Sequence, residues 1–210
     1  ADCYFCDKGV VFDYLKVVEN AGIRVIDIIM SDIGVAKEAS LLEQSISESI
    51  IATVFERDTI TLTLYQKGQI MTNIMIDAKI ESIFNKIKST YNFDDSIAER
   101  LLYYNVDIND VSPSLNPIFA WSTKSGNHAL NKKDLLDLVG DDLIQILDEI
   151  HDVAKPIFMM GVARYVVTGE SSVIMGIVEI LKTISQTEVS LYRPSTFGAK
   201  DPTFTAVLGA

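Results

Sequence analysis

Cys3 and Cys6 stand three apart in Cys3-Tyr4-Phe5-Cys6, a spacing that could serve metal binding or a redox dithiol. Structural zinc takes four ligands, and the chain has no second cysteine pair; His128 and His151 lie far away in sequence. A redox dithiol is expected at a helix N-terminus, where the thiolate is stabilised, whereas residues 2–6 read as a short strand. Residues three apart on a strand point to opposite faces. The pair therefore reads as ordinary buried cysteine. Nucleophilic catalysis has little to build on: His128 falls in a loop, His151 on a helix, and no nucleophile elbow is present. Asp141-Asp142 and Asp148-Glu149 are adjacent pairs, which fan out from a helix instead of converging, and read as a solvated face. The segment with most chemical content is Tyr165-Val166-Val167-Thr168-Gly169-Glu170-Ser171-Ser172-Val173-Ile174-Met175-Gly176. A strand entering a glycine turn and then a helix can cradle a phosphate, because the first amides of a helix are free to face a ligand. It has neither the lysine of a P-loop nor the pattern G-x-G-x-x-G, so on its own it reads first as a crossover without any ligand.

The elements that must position such a turn follow from composition and periodicity. The chain has 210 residues, 18 Lys+Arg against 29 Asp+Glu, a net charge of −11 and a pI near 4.6. With 48% hydrophobic and 22% charged residues it is expected to fold around a sizeable core. Its acidity argues against binding nucleic acid through the phosphate backbone. No apolar run is long enough for a membrane span, no signal peptide is recognisable, and two cysteines suit a reducing, cytoplasmic setting. Starting at Ala1, the chain reads as a piece of a longer protein.

Val11, Tyr14, Val17, Val18 and Ala21 fall at helical spacing, with Gly22 placed to end the helix. Residues 23–30 are a β-rich run. Ile33, Ala36, Ala39 and Leu42 mark a small-residue helix, and the polar stretch 43–48 is the expected domain boundary, dividing 1–42 from 43–210. Residues 49–55, 59–65 and 70–76 predict three strands in an antiparallel meander, the last two joined through Lys67-Gly68. Helices follow around Ile80–Ile87, capped by Asp77, and around Ile97–Leu102, capped by Asp94. Ile118-Phe119-Ala120-Trp121 is an expected strand, and the longest helix opens at Asn131–Asp134 and ends near Pro156. Strand 165–167, helix 173–184, strand 189–191 and a short apolar segment 204–208 complete a mixed α/β chain.

These residues resemble a known family. Thr168-Gly169 through Gly176, then Gly198-Ala199-Lys200-Asp201-Pro202 and Ala206-Val207-Leu208-Gly209, resemble the adenosine-side motif and closing helix of actin-like ATPases, with FtsA, the bacterial cell-division homologue, most similar. Lys16–Val25 resembles the family's "ERAGL-V" segment and Ile97-Ala98-Glu99-Arg100-Leu101-Leu102 its "AE-K" helix. Gly68-Gln69-Ile70 closes a strand pair like the one that carries the second phosphate loop. The resemblance implies an actin-like ATPase (ribonuclease H-like) fold, a mixed sheet with an antiparallel meander and flanking helices. Residues 1–42 would be the end of the accessory domain and a connector, and 43–210 the second domain.

The departures bear on function. Family members read roughly Asp-x-Gly-Gly-Gly-Thr-Thr-Asp at the second phosphate loop; here Val54-Phe55-Glu56-Arg57-Asp58-Thr59-Ile60-Thr61 stands there, and the adenosine-side second glycine is Glu170. Only Thr59 survives, and the charged side chains would crowd and repel phosphate. The resemblance then implies a nucleotide-site remnant: Thr59 facing phosphate, Thr168, Gly169 and Glu170 in the turn beneath the adenosine, and Ser171 and Ser172 at the helix start. No catalytic residue and no metal ligand is assigned, and enzymatic activity is not expected of this chain. ATP with Mg²⁺ would belong only to a full-length form. The implied role is a cytoplasmic division scaffold, bound to division proteins such as tubulin-like FtsZ, able to self-associate, and reaching the inner membrane face through partners or other segments. Two alternatives stay open: an ATP-binding FtsA-type ATPase in full-length form, or a platform like PilM of type IV pilus assembly.

Overall fold

In the computed structural model, residues 7–77, 79–195 and 198–209 are described. The expected strand at 2–6, with Cys3 and Cys6, lies outside them. The chain forms two compact units, one up to Met30 and one from Ser31 onward.

In the first unit, helix α1 (Lys8–Asn20) starts where the Asp7 carboxylate accepts hydrogen bonds from the amides of Gly9 and Val10. Gly22 follows its end at φ 79°. Residues 23–30, expected as a strand, adopt no regular structure. β-branched composition favours extended backbone, but a strand exists only through a paired neighbour, and none pairs here among the described residues.

The second unit opens with α2 (Ser31–Glu38) and α3 (Leu41–Gln44), which break the one expected helix at Ser40, a residue with φ 53°. Val35, Ala36, Ala39 and Leu41 are buried against one face of the sheet, so these helices belong with the unit that follows and not with residues 1–30. The compact division thus lies ahead of the expected boundary at 42/43. β1 (Ser49–Phe55), β2 (Thr59–Gln66) and β3 (Gln69–Asp77) form the expected meander, joined to β6 (Arg164–Thr168) and β7 (Val189–Leu191) in the order β3-β2-β1-β6-β7. β1–β2 and β2–β3 are antiparallel; β1–β6 and β6–β7 are parallel. Lys67 and Gly68 both take positive φ, 52° and 74°, as a two-residue hairpin turn between right-twisted strands requires. β1 is buried at every residue because paired strands flank it and helices cover both faces. Ile51 and Phe55 face one core, Ile50, Ala52 and Val54 the other, as the two-residue period dictates.

The larger core lies beneath α4 (Ile80–Tyr91), α5 (Asp95–Asn105), α6 (Lys132–Phe158) and α7 (Ile177–Ser185). Asp94 and Asn131 cap α5 and α6 by accepting from the amides of Ile97 and Asp134 at 2.9 and 2.8 Å. Asp77 does not cap α4: it ends β3, and Lys79 precedes the helix without a capping bond. His128, expected in a loop, lies instead in β5 (Gly126–Asn131), paired with β4 (Pro117–Thr123), so it sits on a strand opposite Trp121. Gly-Asn-His-Ala-Leu-Asn has no β-branched residue to announce a strand; the pairing makes it one. The expected helix 173–184 starts later: Glu170–Val173 is one turn of 3₁₀ helix, and α7 begins after Gly176. A second short turn, Pro202–Phe204, leads into α8 (Thr205–Leu208).

Candidate functional site

A cavity of about 450 Å³ opens in the second unit where the β1–β2 turn meets the end of β6. Glu56, Arg57, Asp58 and Thr59 form one wall, and Thr168, Gly169 and Glu170 the other. Val35 and the segment Pro202–Ala206 close the remaining side. Parallel pairing of β1 with β6 sets Val54 beside Thr168, which brings the two turns together at the strand ends. Gly169 is required there. It has φ 94°, and a Cβ would stand 2.5 Å from the Phe55 carbonyl oxygen and 2.8 Å from its nitrogen.

Four of the six sequence-selected residues, Thr59, Thr168, Gly169 and Glu170, line this cavity. The Thr168 hydroxyl is engaged: fully buried, it lies 2.7 Å from the Thr205 hydroxyl and 3.3 Å from the Pro202 carbonyl, while Thr205 donates to that carbonyl at 2.8 Å. It pins the Pro202–Thr205 segment to β6. Ser171 and Ser172 do not reach the cavity. Both are buried in the 3₁₀ turn, and Ser172 donates to the Gly169 carbonyl at 2.6 Å. Because α7 starts later than its apolar spacing suggests, these serines are not the start of an α-helix. Ser172 instead borders a second hollow, of about 500 Å³, with Asp107, Asn109, Gly176 and Arg193.

The residue that organises the cavity is Arg57, a bulky side chain where the resemblance expects glycine. Its Nη2 lies 3.0 Å from Glu170 Oε1 and 3.7 Å from Glu99 Oε2, its Nε 3.6 Å from Glu81 Oε2, and its guanidinium 4.6 Å from the Phe84 ring centre. Tyr103 donates to the same Glu170 oxygen at 3.2 Å. Burial pushes the Tyr103 phenol above its ordinary range, so it remains a donor at neutral pH. One cation thus ties the β1–β2 turn to α4, α5 and the turn after β6. The sequence held a signal for this, since the two positions that depart from glycine, Arg57 and Glu170, carry opposite charges.

The other chemical candidates stay apart. His151 is half-buried on α6 and stacks on Phe158 at 6.3 Å; Asp141, Asp148 and Glu149 are exposed on the same helix. Among the described residues, no group of three His, Cys, Asp or Glu side chains is placed to hold a metal ion. No described helix is long and apolar enough to cross a membrane.

No family model matches the sequence. Two cell division proteins FtsA from strains of Staphylococcus epidermidis are each 22% identical over 204 residues, 96% of this chain and 44% of theirs. The chain therefore spans less than half the length of these curated relatives. Among solved structures, the PilM-PilN type IV pilus biogenesis complex matches with TM-score 0.72 and 12% identity, over 95% of this chain and 56% of that one. MreB5 of Spiroplasma citri bound to ADP matches with TM-score 0.67 and 14% identity, over 97% and 64%. The ethanolamine utilization protein EutJ from Carboxydothermus hydrogenoformans matches with TM-score 0.62 and 14% identity, over 93% and 58%. These likenesses show the fold, an actin-like α/β architecture.

Proposed function

Starting from a chain of the actin-like FtsA and PilM type, we propose that it is the second-domain part of a cell-division scaffold whose nucleotide cleft no longer takes nucleotide. The observation that carries this reading is the Arg57–Glu170 pair at 3.0 Å inside the cavity. A phosphate loop works by presenting bare amides to the ligand; here a guanidinium and a carboxylate fill that approach, and Glu56 and Asp58 add negative charge at the rim. The Thr168 hydroxyl is held by Thr205 and Pro202, so it is not offered to a ligand. Thr59 and Gly169 are what remains of a phosphate-facing surface. Residues 1–30 would connect this domain to the rest of a longer protein, with division proteins such as an FtsZ-like partner as its ligands. Its place would be the cytoplasm, at the membrane face through those partners.

The test is calorimetric titration of MgATP and MgADP into this chain and into a form of the protein spanning the length of its relatives. No heat and no thermal stabilisation in either is the expected result. Micromolar binding by the longer form would overturn the reading and restore an FtsA-type ATPase. A second reading, a PilM-like platform for pilus assembly, is favoured by the TM-score of 0.72 to the PilM-PilN complex. Binding of a short apolar partner peptide near residues 31–48, with no affinity for FtsZ, would select it.

A further inference from the structure

The outer strand of the meander, β3, has β2 on one side and no strand on the other among the described residues. Proteins usually blunt such an edge with lysine, proline or a very short strand, because its free amides and carbonyls are a template for another strand. β7, the opposite edge, is blunted in this way with only three residues. β3 runs for nine residues, Gln69–Asp77, with no proline and no lysine, and its only charge is the terminal Asp77. Met71 and Met75 are 52% and 69% exposed. The ladder to β2 skips Met71, a bulge near the start of the strand, and is regular from Thr72 to Asp77.

We propose that β3 is a self-pairing edge, which joins two copies of the chain by an antiparallel β3–β3 contact about a two-fold axis at Asn73. The strand's own sequence selects a second copy as occupant. Ile70-Met71-Thr72-Asn73-Ile74-Met75-Ile76 reads nearly the same in both directions. About that axis Met71 faces Met75, Thr72 faces Ile74, and Asn73 faces its equivalent, whereas Ile70, beyond the bulge, turns to the opposite face of the sheet from Ile76. Every facing pair but the central asparagines is apolar or contains threonine, as cross-strand pairs in stable sheets are. Charge points the same way. A net charge of −11 keeps copies apart in general, but along this edge Asp77 is outnumbered by the flanking Lys67 and Lys79. Gln69 and Asp77 lie outside the paired middle of the strand, so the contact brings no acidic side chains face to face. The contact is the same patch on both copies, so it closes as a dimer and does not propagate as a fibre. The bulge at Met71 bends the strand at its end, which confines the pairing to the middle of β3.

The register makes the test specific. In a chain with Cys3→Ser and Cys6→Ser, one preparation carries Met71→Cys and another Met75→Cys. Facing positions bring Cβ atoms to about 4.5–5.5 Å, within reach of a disulfide after small adjustment. Like positions are offset by roughly 13 Å along the strand. Mild oxidation with diamide should give disulfide-linked dimers from the mixed preparations and none from either alone. In the parent chain, sedimentation equilibrium should show a dimer, and Met75→Lys, at an exposed site, should shift it to monomer without changing the circular dichroism. Cross-linking as fast within each single preparation as in the mixture would overturn the proposal. So would a monomeric parent chain, or a dimer unaffected by Met75→Lys.

Discussion

Replacing Arg57 with glutamine tests whether one guanidinium holds the cavity walls together. The Glu170 contact at 3.0 Å has a gross Coulomb energy of about 1.4–5.5 kcal/mol for an effective dielectric between ~80 and ~20. Both side chains are about a third exposed, 29% and 34%, so solvent screening leaves about 1 kcal/mol net. Glu81 and Glu99, at 3.6 and 3.7 Å, add roughly 0.3–0.5 kcal/mol each. The Phe84 ring beneath the cation, at 4.6 Å, adds about 0.5–1 kcal/mol. Arg57→Gln should therefore cost about 2–3 kcal/mol, a fall in Tm of roughly 5–10 °C for a chain of this size. Glu170→Gln should cost only about 1 kcal/mol, because Arg57 keeps two other carboxylates, whereas removing Arg57 leaves three carboxylates facing one another. Urea unfolding of both variants and the double variant gives the order and the coupling. High salt should shrink the differences, since the network is partly exposed. An effect below about 0.5 kcal/mol for Arg57→Gln, the scatter of ordinary surface substitutions, or a larger loss from Glu170→Gln, would refute the view of Arg57 as the hub.

Two further changes probe the same unit. Gly169→Ala forces a Cβ to 2.5 Å from the Phe55 carbonyl at φ 94°, and should cost roughly 2–4 kcal/mol by denaturant unfolding; a neutral result would show that β1 and β6 are not pressed together there. Asp32, buried at 4% exposure with Oδ1 unbonded, has its pKa raised by desolvation, against lowering hydrogen bonds from Thr63 and Asn73. Its folded form holds the proton more tightly, so its contribution to stability is complete below the ordinary aspartate value and lost as pH rises through the folded pKa. Asp32→Asn should thus gain on the parent chain as pH rises above the ordinary aspartate value of about 3.9, and a stability difference that stays constant from about pH 3.5 to about pH 8 would contradict that.

Elements whose signals are local were legible in the residues alone. Alternation in residues 59–65 and the turn at Lys67-Gly68 gave the meander, and helical spacing with Asp94 and Asn131 gave α5 and α6, because periodicity and capping are properties of neighbouring residues. The resemblance to an ordered set of motifs singled out Thr59, Thr168, Gly169, Glu170, Ser171 and Ser172, of which the first four line the cavity and the two serines do not. Where a partner distant in the chain decides, local signals failed. Residues 23–30 have strand composition and pair with nothing described, while 126–131 lack it and form β5 because Trp121 and its neighbours lie opposite. The α2–α3 helices belong with the sheet because Val35 and Leu41 pack on it, which no boundary in composition reveals. Arg57 shows the difference most clearly. Its sequence position says that a glycine is missing, whereas its role depends on Glu81, Glu99 and Glu170, which the fold brings from three other elements within 4 Å of one guanidinium. Electrostatic energy depends on distance in space, and only the tertiary structure sets that distance.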